Sequence, residues 1–245
     1  MTKNDLVIIP TYNEAINVDL IYKKIRSKNS VSEILFIDDN SPDNTAEIIS
    51  NIIVNDKKVH LLKRKKKLGI GSAHKEGFQW AKERNFDYVT TIDADLSHDP
   101  DLILEMIKNI EINDIVITGR FLKEDTLEEW TFIRRLVTKT RHKVVKFLLK
   151  IPYDTSGAFR CYNFNVVNIE DLLKAKDNGY SFFWESLFYL YTKKYKILEI
   201  PMRQPRRVYG SSKISIRDII KAITYLIYFY IKEKILIKFF LNKSK

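Results

Sequence analysis

Over its first 120 residues the chain alternates short runs of β-branched and aliphatic residues with stretches of helical periodicity. Residues 6–10 (LVIIP) and 33–38 (EILFID) are almost continuously apolar, the pattern of strands buried on both faces. Between and after them, Val18, Ile21 and Ile25, then Ile48 and Ile52, recur at three- and four-residue spacing, as on one face of a helix. The same reading predicts strands at 58–62, 88–92 and 114–118 and helices at 72–84 and 100–110. Successive βα units predict an α/β fold with a mostly parallel sheet and helices on both faces. With no internal repeat and no Pro/Gly/Ser linker, the expectation is one domain over 1–213 followed by a tail, 214–245.

In open sheets of this kind ligands gather beyond the C-terminal ends of the strands, and the polar clusters fall there. Pro10–Glu14 follows the first strand, Asp38–Asp43 the second, Asp93–Asp99 the fourth, and Gly119-Arg120 the fifth. Asp93-Ala94-Asp95 sends out two carboxylates together, hard oxygen ligands suited to Mg²⁺ or Mn²⁺ shared with a substrate's phosphates. Taken alone, an Asp-x-Asp is more often a turn or a helix cap. Asp99-Pro100 is the better cap, with Pro at the first helical position, which leaves Asp93 and Asp95 for ligand binding. Asp38–Asp43 is either a turn and helix start or part of a site whose acids accept hydrogen bonds from a ribose or base. His98, beside the two acids, either joins the site or supports it.

Composition narrows the partners. A formal net charge of +11 calls for an anionic one, whether nucleic acid, anionic lipid or a phosphorylated substrate. Basic residues collect at 63–67 (KRKKK), through 134–150 and from 203 onward, where Ile, Leu, Phe and Tyr are interleaved, which suits an interfacial surface better than a solvated tail. The lone Cys161 excludes an internal disulfide, and the N-terminal apolar run is too short for a signal peptide, so a cytoplasmic protein is expected. A basic nucleic-acid-binding module is the rival reading, but it leaves the strand-end aspartates unexplained.

In order along residues 6–213 stand PTYNE (10–14), DDNSPDNT (38–45), KLGIGSAHKEG (67–77), DADLSHDP (93–100), GR (119–120), Trp130 with Arg134, DTSGAFRCY (154–162) and RVYGSSK (207–213). This ordered set resembles the dolichol-phosphate (polyprenol-phosphate) mannose synthases within the family 2 inverting glycosyltransferases. The resemblance implies a Rossmann-like GT-A fold and a nucleotide-sugar donor, GDP-mannose in the namesake enzymes, with a polyprenyl phosphate as acceptor. It implies that Pro10, Tyr12, Glu14, Ile37 and Asp39 line the nucleoside pocket. Asp93, Ala94 and Asp95 then hold the metal and diphosphate, while Arg120, Arg207 and Lys213 face phosphates or sugar, with Asp93, Asp95 and Arg120 as the catalytic set. On the acceptor side it points to Arg134, Thr138, Ser156 and Arg160. A relative using another nucleotide sugar or a polysaccharide acceptor is the alternative, because LKEDTLEE before Trp130 lacks the family's glycines and TRHKVV replaces a run of small residues. Ser97 stands where some relatives place a metal-contacting Gln.

The helical pattern over 132–151 sets Ile133, Leu136, Val137, Val144, Phe147, Leu148 and Ile151 at helical spacing, with Arg134, Arg135, Lys139, Arg141, Lys143 and Lys146 between them, so it is either an interfacial helix or an ordinary amphipathic helix packed on the domain. Residues 214–245 repeat the theme, and Lys221 and Lys232–Lys234 interrupt them too soon for a bilayer span of ~20 apolar residues. The expectation is a chain held peripherally at the cytoplasmic face of a membrane by amphipathic C-terminal helices, with room for a membrane-anchoring partner subunit. Removing 214–245 is expected to leave nucleotide binding intact.

Overall fold

The computed structural model describes residues 4–28, 32–127, 130–205 and 216–243. Along the chain they form β1 (Asp5–Thr11), α1 (Val18–Lys28), β2 (Glu33–Asp38), α2 (Thr45–Asn55), β3 (Val59–Lys63), α3 (Ile70–Glu83), β4 (Tyr88–Thr91), α4 (Leu102–Ile110) and β5 (Ile115–Gly119). After a short 3-10 turn come α5 (Phe132–Leu149), β6 (Arg160–Asn163), α6 (Ile169–Leu173), α7 (Phe182–Thr192), β7 (Ile197–Pro201) and α8 (Ile216–Lys243). The seven strands lie in the order β3-β2-β1-β4-β6-β5-β7. All pairings are parallel except those of β6, which runs against both β4 and β5.

Period-two alternation divides the apolar strand residues between two cores. Val7, Ile9, Ile34, Phe36 and Val116 face Val18, Ile21 and Ile25 of α1, Ile49 of α2 and Met106 of α4. Leu6, Ile8, Leu35, Ile37, Ile115 and Ile117 face Phe78 of α3, Leu172 of α6, Phe182 and Leu187 of α7, and Leu226 and Phe229 of α8. With both faces covered, β1 and β2 read as unbroken apolar runs.

Two sequence expectations are revised. Helix α4 starts at Leu102, two residues late, because the Asp99 carboxylate accepts the Asp101 N–H (3.1 Å) and keeps Pro100 in the preceding turn. After β5 the run of parallel βα units ends, and β6 inserts antiparallel between β4 and β5. Arg160, expected on the acceptor side, opens β6 with only 1% exposure. Its guanidinium donates to the carbonyls of Gly157 (2.9 Å), Thr155 (3.0 Å) and Phe183 (2.8 Å), tying the 155–157 loop to α7. It is a buried brace and does not line the cavity beyond the strand ends.

His74 on α3 is a second buried polar group with a structural consequence. It lies among Phe78, Phe182 and Phe183, Nδ1 donates to the Ile70 carbonyl (2.9 Å), and Nε2 is buried without a hydrogen-bond partner. Burial, followed by the nearby Arg160 charge, lowers its pKa to about 4, against a carbonyl contact that favours the proton. Below the ordinary value of 6.5 the unfolded chain therefore takes a proton that the folded chain refuses. The neutral ring's contribution is whole above pH 6.5 and is lost as pH falls towards 4, a drop of roughly 3 kcal/mol. Urea unfolding between these limits should show that limb, and His74→Leu should flatten it.

Candidate active site

A cavity of about 380 Å³ opens beyond the C-terminal ends of β1, β2 and β4. The end of β1 contributes Pro10, Tyr12 and Glu14, β2 contributes Asp39, and β4 leads into Asp93, Ala94 and Asp95. These are the residues that the strand-end rule selects. The remaining wall comes from 67–69 ahead of α3, Ile70 and Ala73 of α3, the loop 177–181, and Asp218, Lys221 and Ala222 of α8.

The acids after β2 turn out to be scaffolding for the loop after β1. Ser41 Oγ accepts the Asn13 N–H (2.9 Å), Thr45 Oγ1 the Glu14 N–H (2.9 Å), and Asp43 the Ala15 N–H (3.1 Å). Asp38 is buried and receives the Ser41 N–H (3.0 Å). Asn13 and Asn40 sit at φ 55° and 58°, the left-handed region that Asn tolerates best after Gly. Tyr12 is thereby held at the cavity, with Lys67 Nζ 3.8 Å from its ring centroid.

Asp39 is committed more heavily. Its oxygens accept the N–H groups of Leu68 (2.8 Å) and Gly69 (2.9 Å) and a guanidinium N–H of buried Arg64 (2.9 Å), which also pairs with Glu76 (3.0 Å). Three of about four lone-pair positions are used, so Asp39 sets the loop before α3 first and has one acceptor direction left for a ligand. Gly69 sits at φ 100°, and a Cβ there would lie 2.4 Å from the Asn178 carbonyl oxygen. That oxygen accepts the N–H groups of Gly71 (2.8 Å) and Ser72 (3.2 Å), so the loop 177–181 closes the N-terminus of α3.

Beyond β4, Leu96 takes a left-handed φ of 58° and turns the chain back on itself. Ser97 N–H then donates to Asp95 Oδ1 (3.0 Å), and Asp93 N–H donates to His98 Nδ1 (3.3 Å). The His98 ring is buried and stacks on Phe159, which makes it a support of the acidic pair. Ser97 serves the turn through its backbone.

The other expected residues lie elsewhere. Ile37 is fully buried in the core with Leu35 and is not part of the cavity wall. Arg120 is off the wall: Nε and Nη2 bind Asp154 (2.7 and 2.9 Å), Nη1 donates to Gln204 (3.2 Å), and Nη2 also meets Ser156 Oγ. Ser156 is thus drawn into the same cluster. Arg134 lies over the Trp130 ring (3.6 Å), and Thr138 is half-buried on α5. Neither lines the cavity. Arg207 and Lys213 lie outside the described residues. The loop 177–181 and the α8 residues on the wall were not among the expected site residues, because their place at the cavity depends on contacts with α3 and α7.

The wall carries six carboxylates, Glu14, Asp39, Asp93, Asp95, Asp177 and Asp218, against two ammonium groups, Lys67 and Lys221. Such a mouth repels a bare diphosphate and suits one accompanied by a divalent cation. No group of three or more His, Cys, Asp or Glu side chains among the described residues forms a closed metal cage. Two carboxylates are what a Mg²⁺-type ion takes when substrate phosphates complete its shell, so Asp93 and Asp95 fit that group.

Burial favours the neutral forms of Arg120 and Asp154, yet their mutual attraction wins: Asp154 is held well below the usual carboxylate range and Arg120 above its ordinary value, with Asp93 adding to the field. The pair's contribution is whole above pH 3.8, the ordinary carboxylate value, and fades as pH falls further. Asp154→Ala should cost about 3–5 kcal/mol at neutral pH because it strands a buried guanidinium. The gap to wild type in urea unfolding should narrow once pH drops below about 4.

The comparisons with known proteins agree with this geometry. The model of the family described as glycosyl transferase family 2 matches residues 6–173. The chain is 30% identical over 217 residues to a polyprenol monophosphomannose synthase of Mycolicibacterium smegmatis, covering 87% of this chain and 82% of that one. It is 30% identical over 211 residues to an undecaprenyl-phosphate mannosyltransferase of Micrococcus luteus, covering 86% and 87%. In fold it is similar to glucosyl-3-phosphoglycerate synthase from Mycobacterium tuberculosis, crystallised with Mn²⁺, UDP and glucosyl-3-phosphoglycerate. That match has a TM-score of 0.61 at 15% identity, over 92% of this chain and 78% of that one. The mostly parallel sheet is thus of the GT-A type.

Proposed function

Because the chain belongs to glycosyl transferase family 2, we propose that its strand-end cavity binds a nucleotide sugar and that the enzyme transfers the sugar, mannose from GDP-mannose, to a polyprenyl phosphate at a membrane surface. The observation that carries this reading is the pair Asp93 and Asp95 on the cavity wall beyond β4. The names of the two relatives at 30% identity support the lipid phosphate and the mannose.

Each residue then has a task. Pro10 and Tyr12 offer the nucleoside its apolar surface, and Glu14 with the remaining acceptor direction of Asp39 meets ribose or base. Asp93 and Asp95 would hold Mg²⁺ or Mn²⁺, which supplies positive charge against the donor diphosphate as it leaves. Lys67 and Lys221, with Arg207 and Lys213 outside the described residues, add cations to the same task. A phosphate monoester with its second ionisation near ~6 is mostly dianionic at neutral pH, so the acceptor attacks the anomeric carbon without a strong general base and inverts it. Arg120 contributes through its field behind Asp93 and through the loop it braces, while Arg134 and Thr138 on α5 stand on the acceptor side.

Attachment to the membrane follows from two helices. On α5 only Val145 and Leu149 are buried, whereas Phe147 is 80% and Ile133 73% exposed, with Leu136 and Val137 beside them. On α8, Ile219, Ile220, Ile223, Ile227 and Ile231 are exposed. No helix among the described residues is long and apolar enough to cross a membrane. Both apolar faces are flanked by Lys and Arg, so insertion and attraction to anionic headgroups add. The protein then sits peripherally on the cytoplasmic face, alone or beside an anchoring subunit.

Asp95→Asn should keep the fold and lose most turnover, and Mn²⁺-dependent thermal stabilisation by a guanosine or uridine diphosphate sugar should vanish with it. Near-normal turnover in that variant sinks the metal assignment. The full-length protein should sediment with anionic liposomes and be released largely by high salt, whereas Ile220→Glu with Ile227→Glu should leave it in the supernatant. Equal sedimentation of both proteins removes α8 from the membrane contact.

A further inference from the structure

Glu185 is out of place by composition. It sits in the first turn of α7, within FFWESLFYLYT, and is 1% exposed among Phe182, Trp184 and Phe188. A carboxylate in such surroundings is costly unless its oxygens are used. They are: Oε2 accepts the Asp177 N–H (3.0 Å) and Oε1 accepts the Tyr225 hydroxyl of α8 (3.0 Å).

Both partners lead to the cavity. Asp177 Oδ2 accepts the N–H groups of Gly179 and Ser181 (2.9 Å each), so its carboxylate sets the shape of the loop 177–181, and that loop is cavity wall. Tyr225 lies three, four and seven residues beyond Ala222, Lys221 and Asp218, hence on the helix face that forms the adjoining wall. The stripe continues into Phe229, whose ring packs on Trp184 and Phe188 (5.1 Å each). The exposed isoleucines of α8 occupy the opposite side.

We propose that Glu185 is a positioning residue that joins α8 to the loop 177–181, so that the seating of α8 sets the shape of the far wall and with it the affinity for donor. The inference rests on the reading of the cavity as a nucleotide-sugar site. It also corrects the expectation that nucleotide binding is indifferent to residues 214–245: part of the wall belongs to them.

Tyr225→Phe tests it with the least disturbance, because it removes one hydroxyl and leaves the ring packing on Trp184 and Phe229. The donor KM should rise roughly fivefold, the scale of one typical hydrogen bond's net contribution, while kcat changes by less than about twofold. Tyr22→Phe is the control: it deletes a similar hydroxyl-to-carboxylate contact, to Asp56 (3.2 Å), on α1, away from the cavity, and should leave KM unchanged. Glu185→Gln should raise KM as well, and in a double-mutant cycle the two changes should be non-additive, since each breaks the same link. A wild-type donor KM in Tyr225→Phe overturns the inference, as does an equal KM shift in Tyr22→Phe, which would mark the effect as general destabilisation. A wild-type protein that neither binds nor turns over any nucleotide sugar overturns the cavity reading, and the inference with it.

Discussion

The carboxylate of Asp39 fixes the relation between the first half of the sheet and the loop that opens α3. A strand end has no intrinsic way to hold a loop thirty residues away, and this one does so by accepting two successive N–H groups, at Leu68 and Gly69, together with the buried guanidinium of Arg64. Bonds to an ionised acceptor are short and about twice as strong as neutral ones. Once Gly69 is pinned, its left-handed φ lets the chain pass against the Asn178 carbonyl, which caps α3 and brings the loop 177–181 to the cavity. Remove the carboxylate and buried Arg64 keeps only Glu76, Ser72 and the Gly69 carbonyl as partners, while two backbone donors lose their acceptor. The cavity therefore depends on an interaction that is not itself the chemistry.

The same device recurs around the site. Arg120 with Asp154, Arg160 with three carbonyls, and Asp177 with the N–H groups of Gly179 and Ser181 each convert a polar side chain into a loop clamp. Buried pairs of this sort contribute little net stability against a well-packed apolar alternative, but breaking one partner is expensive. They serve to define loop geometry. The charge distribution follows a corresponding division: the chain as a whole is +11, yet the cavity wall carries more carboxylates than ammonium groups. On the proposed reading, an anionic membrane attracts the outside while the mouth takes a diphosphate in the company of a cation.

How much of this was legible along the sequence depends on whether an element is defined by its neighbours in the chain. Strands β1, β2 and β5 and helices α1 and α3 carry their own period, and the pair Asp93, Asp95 stands out because an apolar strand runs straight into it. β6 is four residues long and begins with a buried Arg, so nothing in RCYN announces a strand. α7 is buried on nearly every side and has no polar stripe to give it a helical period. Ile37 and Arg120 stand close in sequence to strand ends at the site, but Ile37 is packed in the core beneath α3 and Asp154 holds Arg120, facts that need the partner helices and loops. The loop 177–181 and the wall face of α8 reach the cavity from over eighty residues beyond Asp95, and no local pattern encodes that meeting.

On the proposed reading, donor and acceptor arrive from different phases, and α8 is where the two meet. An α-helix with its side chains is ~10–12 Å across. One stripe of α8, through Asp218, Lys221 and Ala222, walls the donor cavity, while the isoleucines on the other side are exposed. If those isoleucines enter the headgroup boundary, the cavity rim stands within about one helix diameter of the lipid phosphates. A polyprenyl phosphate could then present its headgroup to the donor without lifting its chain out of the bilayer, which would cost about 0.8 kcal/mol for each CH₂ exposed. Short reach thus removes the need for a deep lipid-binding tunnel, because the membrane itself supplies the acceptor's binding surface.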